Sequence, residues 1–142
     1  MALEEMKRKI TISSLVATIL LIVSPAFAGD NPLFVTITMK ECYSCQKLKP
    51  VIEELKNEYS DRVEFITLDV SSKASLEEAK ETATNLGIEG FFNDNKNGLP
   101  AVGIVCPGGI KVEKVFSGEG DKEAYTEALD RLLLDTSKLC SL

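Results

Sequence analysis

The chain has 142 residues, 44% apolar and 27% charged, with 9 Gly, 5 Pro and 4 Cys, the composition of one small globular domain. Its 22 acidic residues against 16 basic ones, with no His, give a formal charge of −6, and no basic block occurs after residue 28. That balance excludes the electrostatic footprint of a nucleic-acid binder and gives little attraction to an anionic membrane surface.

At the N-terminus, Lys7, Arg8 and Lys9 precede the uncharged run "ITISSLVATILLIVSPAFA", which ends with Ala26 and Ala28 in the small-residue spacing that a signal peptidase accepts. Residues 1–28 read as an export signal and residues 29–142 as the domain. The rival reading is a membrane anchor formed by residues 10–28, a length close to the roughly 20 residues a bilayer core requires. Pro25 breaks the apolar helix just ahead of the small-residue site, which favours cleavage after Ala28. The expected location is extracytoplasmic, periplasmic or secreted, with a membrane as partner only if the segment is retained. Thiols in such compartments persist as disulfides unless a dedicated reductant reaches them.

"PLFVTITM" (Pro32 to Met39) is apolar and β-branched without alternation, as expected of a strand buried on both faces. After Cys42 the period changes. Leu48, Val51, Ile52, Leu55 and Tyr59 form the buried stripe of a helix, which places Cys42 and Cys45 on its first turn. "RVEFITLDV" predicts a second interior strand, and Ser75 with Glu78 a capping box opening a helix that Gly87 closes. Strand, helix and strand in this order imply a right-handed crossover and a parallel pair. "IEGFFNDNKNGLP" reads as a loop whose Phe91 and Phe92 pack inward. "PAVGIV" and "IKVEKVF" flank a turn with Pro107, Gly108 and Gly109, giving a hairpin. Asp121 then caps a last helix carrying Tyr125, Ala128, Leu129, Leu132 and Leu133.

The order is α/β, βαβαββα, a four-stranded mixed sheet with helices on both faces. With Cys42-Tyr43-Ser44-Cys45 at a strand-to-helix junction, Pro50 further along that helix and Pro100 opening the third strand, the chain resembles the thioredoxin superfamily in its minimal, glutaredoxin-like form. The resemblance covers about Pro32 to Leu134. It implies a thiol-disulfide oxidoreductase with no cofactor, Cys42 as attacking thiolate and Cys45 as resolving thiol. It also implies a cis bond at Pro100, beside which the backbone of Leu99 pairs with an extended substrate segment, while Tyr43 and Ser44 line the contact.

A thiolate at a helix N-terminus faces unpaired N–H groups, which lowers its pKa from about 8.5 to between roughly 3.5 and 7.5. Thioredoxin's buried Asp, six residues ahead of the first Cys, is Thr36 here. In a chain without His, a base comes from a carboxylate or water. Tyr43-Ser44 matches none of the better-known intervening pairs, so the direction of electron flow stays open.

Cys106 ends the third strand, about 20 Å from Pro100 at about 3.3 Å per residue, and the tail after the last helix returns to that end. A structural disulfide between Cys106 and Cys140 is expected there. The alternatives are a buried Cys106 with a free tail thiol, or an intermolecular bridge through Cys140. No metal is expected, because tetrahedral zinc requires four Cys or His ligands and the two remaining cysteines stand alone.

The leading functional expectation is exported disulfide exchange with cysteine-containing extracytoplasmic proteins and a redox partner that regenerates the pair, by a monomer. The alternative is a redox-inactive module of the same fold that binds peptides or an assembly partner, with Cys42 and Cys45 as a static bridge.

Overall fold

The computed structural model describes residues 31–106, 112–118 and 120–134. In chain order these form β1 (Leu33–Thr38), α1 (Tyr43–Tyr59), β2 (Glu64–Asp69), α2 (Lys73–Asn85), α3 (Glu89–Asn95), β3 (Ala101–Val105), β4 (Val112–Ser117) and α4 (Lys122–Leu134). The strands lie side by side as β2-β1-β3-β4. β1 runs parallel to β2, pairing Thr36 with Thr67, and antiparallel to β3, pairing Ile37 with Ala101. β3 and β4 form an antiparallel pair, with a register shift between Ile104 and Val105.

β1 is uncharged and mostly apolar because helices cover both sides of it. Phe34 faces α1 and α4, joining Leu48, Leu55, Tyr59, Tyr125, Leu129 and Leu132. Leu33, Val35 and Ile37 face α2 and α3, joining Ala79, Ala83, Phe91 and Phe92. Each fully buried side chain of this size contributes roughly 1.5–3 kcal/mol. Across the α1/α4 interface, the Tyr59 hydroxyl donates to Asp130 Oδ1 at 2.8 Å. Lys122 reaches Glu54 at 3.0 Å and Glu58 at 2.6 Å.

Three details depart from the sequence expectation. β2 is an edge strand, not an interior one: Glu64 and Thr67 are exposed, and Phe65 and Ile66 only half-buried. Its apolar run reflects contact with helices on both faces, while which strand ends the sheet is set by the topology. α2 begins earlier than the Ser75–Glu78 pair implied. Ser72 caps it, its Oγ accepting from the Ser75 N–H at 3.1 Å while Ser75 Oγ accepts from the Ser72 N–H at 2.9 Å. The expected loop around Phe91 is the helix α3, although its Gly, Asn and Asp content disfavours helix. Ile88, Phe91 and Phe92 recur at helical spacing and are buried, and the Asn95 side-chain amide donates to the Phe91 carbonyl at 2.8 Å. Tertiary burial overrides weak propensity there.

Gly87 closes α2 as expected. It sits at φ 71°, and the N–H groups of Gly87 and Ile88 bond back to Thr84 and Ala83 at 3.1 and 2.8 Å. Asp121 caps α4, Oδ1 accepting from the Ala124 N–H at 2.8 Å.

Cys106 is 1% exposed, and its sulfur is in a disulfide. The expected partner Cys140, the hairpin turn and the N-terminal segment lie outside the described residues. A bond between Cys106 and Cys140 would contribute roughly 3–4 kcal/mol by the chain-entropy argument. Peptide mapping of the unreduced protein is expected to recover the Cys106 and Cys140 peptides linked; recovery of both as alkylated thiols would exclude the pairing.

Gly103 on β3 lies under the Phe91 ring, and a Cβ there would meet Phe91 Cε2 at 2.5 Å and Cζ at 2.6 Å. Gly103→Ala is therefore expected to destabilise by about 1–3 kcal/mol through overpacking. In urea unfolding this appears as a lower midpoint with unchanged slope; an unchanged midpoint would show that α3 yields freely.

Candidate active site

α1 begins where β1 ends, after a turn closed by the Cys42 N–H donating to the Met39 carbonyl at 3.2 Å. Cys42 is the N-cap of this 17-residue helix, with extended backbone (φ −87°, ψ 112°). Its Sγ accepts from the Cys45 N–H at 3.1 Å, so the sulfur occupies the place of a capping side-chain oxygen. The pair is joined as a disulfide, with Cα atoms 5.2 Å apart. Cys42 is half-buried and Cys45 is 6% exposed, as expected for an outward and an inward thiol. No acidic residue occupies the first turn of α1. An anionic sulfur at Cys42 would thus meet only the positive end of the helix dipole from that turn.

The other expected site residues converge on the same end of the sheet. The Leu99–Pro100 bond is cis. Pro100 is buried and Leu99 half-buried, and the Pro100 carbonyl accepts from the Gly118 N–H at 2.9 Å. Pro100 and Cys45 line one cavity. Tyr43, 71% exposed, stands beside Cys42 with Lys47 Nζ 4.8 Å from its ring centroid. Ser44 is half-buried on the same turn. Cys106, at the opposite end of β3, is not part of this group. Among the described residues no cluster of three or more metal-ligating side chains occurs.

Sequence reasoning missed the residues that hold the turn ahead of Cys42. Both backbone groups of Lys40 are taken by side chains. Its N–H donates to Ser71 Oγ at 2.8 Å, and its carbonyl accepts from Gln46 Nε2 at 2.9 Å. Ser71 is itself tied to Asp69 through its hydroxyl and through its N–H at 2.8 Å. An Asp at a strand end two residues before a Ser is a turn signature, and it is the signal available in the sequence. The Ser71 hydroxyl is the main cause holding the Asp69 carboxyl below its ordinary value; its backbone N–H and the Lys40 charge act the same way, against partial burial.

A carboxylate with a depressed folded-state pKa stabilises fully above its unfolded value, and that contribution is lost as pH falls through the folded value. The stability difference between wild type and Asp69→Asn is therefore expected to shrink as pH falls below about 4. Urea unfolding across that range measures it, and a difference that stays constant would show that the Asp69 charge is not what holds the turn.

A thioredoxin family profile matches residues 26–98. Over 75 residues the chain is 33% identical to the thiol:disulfide interchange protein TxlA of Synechococcus elongatus, covering 53% of this chain and 39% of that protein. Over 44 residues it is 36% identical to thioredoxin C-2 of Corynebacterium nephridii, covering 31% of this chain and 41% of that protein. The matches span about two fifths of the length of these curated relatives. With its mixed sheet, capping cysteine pair and cis-proline at one end, the chain belongs to the thioredoxin family.

Proposed function

We propose that the chain is an exported thiol-disulfide oxidoreductase that exchanges disulfides with cysteine-containing extracytoplasmic proteins. The observation that carries the reading is Cys42 Sγ at the N-cap of α1, where it accepts the Cys45 N–H and is partly open to solvent. In the reduced protein the same donor and the helix dipole favour the Cys42 thiolate. That thiolate attacks one sulfur of a partner disulfide, forming a mixed disulfide and releasing the partner's other sulfur as a thiolate. Cys45 then loses its proton and attacks Cys42 Sγ. The Cys42–Cys45 bond forms, the partner leaves with the electron pair, and the pair is oxidised by two electrons as the partner is reduced. Run backwards, the same steps insert a disulfide.

Family resemblance assigns the backbone of Leu99, beside Pro100, to an extended segment of the partner. The exposed Tyr43 ring, with Lys47 against it, and the Ser44 side of the turn form the adjoining contact surface. The names of the relatives support thiol-disulfide interchange. Export rests on the basic cluster at residues 7–9 and on the apolar run that ends at Ala28, with residues 29–142 as the working domain and no cofactor required.

In insulin-disulfide reduction with dithiothreitol, Cys42→Ser is expected to fall to the uncatalysed rate, while Cys45→Ser accumulates protein mixed disulfides on non-reducing gels. An unchanged rate in Cys42→Ser would end this reading. N-terminal sequencing of the protein recovered from the producing cell is expected to begin at Gly29; recovery with residues 10–28 attached would make it membrane-anchored.

A further inference from the structure

Cys45 is 6% exposed, yet the resolving step requires its thiol proton to leave. The sulfur's surroundings limit where that proton can go. A cavity of about 330 Å³ lies between the first turns of α1 and the sheet, and Cys45 is part of its wall. Thr36, Thr38 and Thr67 line the sheet side, and Thr36 is buried, at 3% exposed. Thr36 and Thr67 are paired across β1 and β2, so both side chains lie on the face toward α1. Leu48, Ile52 and Pro100 make much of the remaining wall apolar, so hydrogen-bond partners for water lie along the sheet side and at the open rim.

Three ionisable side chains besides Cys45 line the cavity: Lys40 from the turn after β1, and Lys49 and Glu53 from α1. β2 contributes Thr67 and the β3 end contributes Pro100, neither of which titrates. An ammonium group has protons to give and no lone pair to accept one. Glu53 is the one carboxylate among the described residues of this lining. It follows Cys45 by eight positions, through Lys49, so all three share one face of the helix. The backbone rise between positions 45 and 53 is about 12 Å, so the exposed Glu53 stands two turns along α1 from Cys45, at the rim of the same cavity.

From this arrangement we infer that Glu53 is the proton acceptor for Cys45, reached along the threonine side of the cavity between α1 and the β1/β2 edge of the sheet. The inference rests on Cys45 being the resolving thiol. In the step, the Cys45 S–H bond breaks and its proton passes along the hydroxyl and water chain to a Glu53 carboxylate oxygen. The freed sulfur pair forms the bond to Cys42 Sγ, and the partner's sulfur departs with the electrons of the broken mixed disulfide and is protonated by solvent. In reverse, Glu53 returns the proton as Cys45 is released. Lys40 and Lys49, on the cavity rim, favour the transient Cys45 thiolate.

Stopped-flow reaction of the reduced full chain with 5,5′-dithiobis(2-nitrobenzoate) separates the two events. The first equivalent of thionitrobenzoate reports attack by Cys42 and depends on reagent concentration; the second reports resolution by Cys45 and does not. Glu53→Gln is expected to slow the second phase about tenfold or more and to remove the acid limb of its pH profile, while Glu53→Asp retains that limb. Thr36→Val, which removes the buried hydroxyl at similar volume, is expected to slow the same phase.

A Glu53→Gln second phase that superimposes on wild type at every pH would overturn the inference, and so would equal slowing of both phases, since Glu53 would then act on the helix end as a whole. Absence of a second phase in the wild type would overturn the proposed function along with it. A wild-type second phase indifferent to Glu53 would leave the disulfide exchange standing and remove only the proton route.

Discussion

The chemistry open to the reactive end depends on one sulfur atom closing a helix. The start of an α-helix leaves its first N–H groups without carbonyl partners, and a side-chain oxygen usually satisfies one of them. In α1 the Cys42 sulfur does so, accepting the Cys45 N–H. A good oxygen cap contributes about 1 kcal/mol, and a sulfur acceptor is weaker. The cap therefore cannot be what fixes the helix. Burial of Leu48, Leu55 and Tyr59 against the sheet, at roughly 1.5–3 kcal/mol for each large apolar side chain, outweighs it several-fold. Because packing further along sets the position of α1, its first turn is free to change charge and bonding without moving the helix.

The turn before Cys42 is secured independently, and from a different part of the chain. Ser71, held by Asp69, takes the Lys40 N–H, and Gln46 takes its carbonyl. These bonds link the end of β1 to the β2–α2 connection on one side and to α1 on the other. The cis-proline is secured from the third direction, through the Gly118 N–H on its carbonyl and through β3 in the interior of the sheet. Three segments distant in sequence thus meet at the same end of the sheet, each anchored by its own strand.

The sequence made the parts of this legible where local chemistry and burial agree. Pro32 to Met39 reads as an interior strand because it is one, with helices on both faces. The stripe from Leu48 to Tyr59 reads as a helix, and Gly87 as its neighbour's stop, for equally local reasons. Misreadings arose where topology or tertiary contact decides. The run around Phe65 is as apolar as an interior strand, yet strand order puts it at the edge. Phe91 and Phe92 read as inward-facing, but the helix that carries them forms against composition because both rings are buried, Phe91 over Gly103. The cavity was invisible for a further reason: it requires short side chains on two paired strands and a helix face above them, a coincidence of three separate segments.

That cavity bears on the substitution at Thr36. A carboxylate buried at this position, as in thioredoxin, has to be dehydrated on ionisation, at an effective cost of several kcal/mol. A threonine avoids this cost and keeps β1 neutral throughout, with only the hydroxyls of Thr36 and Thr38 facing the cavity. The charges of the cavity lining stand outward, on the exposed Lys40, Lys49 and Glu53, where water screens them. The consequence is a division of labour between core and rim. The interior supplies an uncharged wall beside Cys45, and the charged groups stand at its edge, away from the sheet that positions both cysteines.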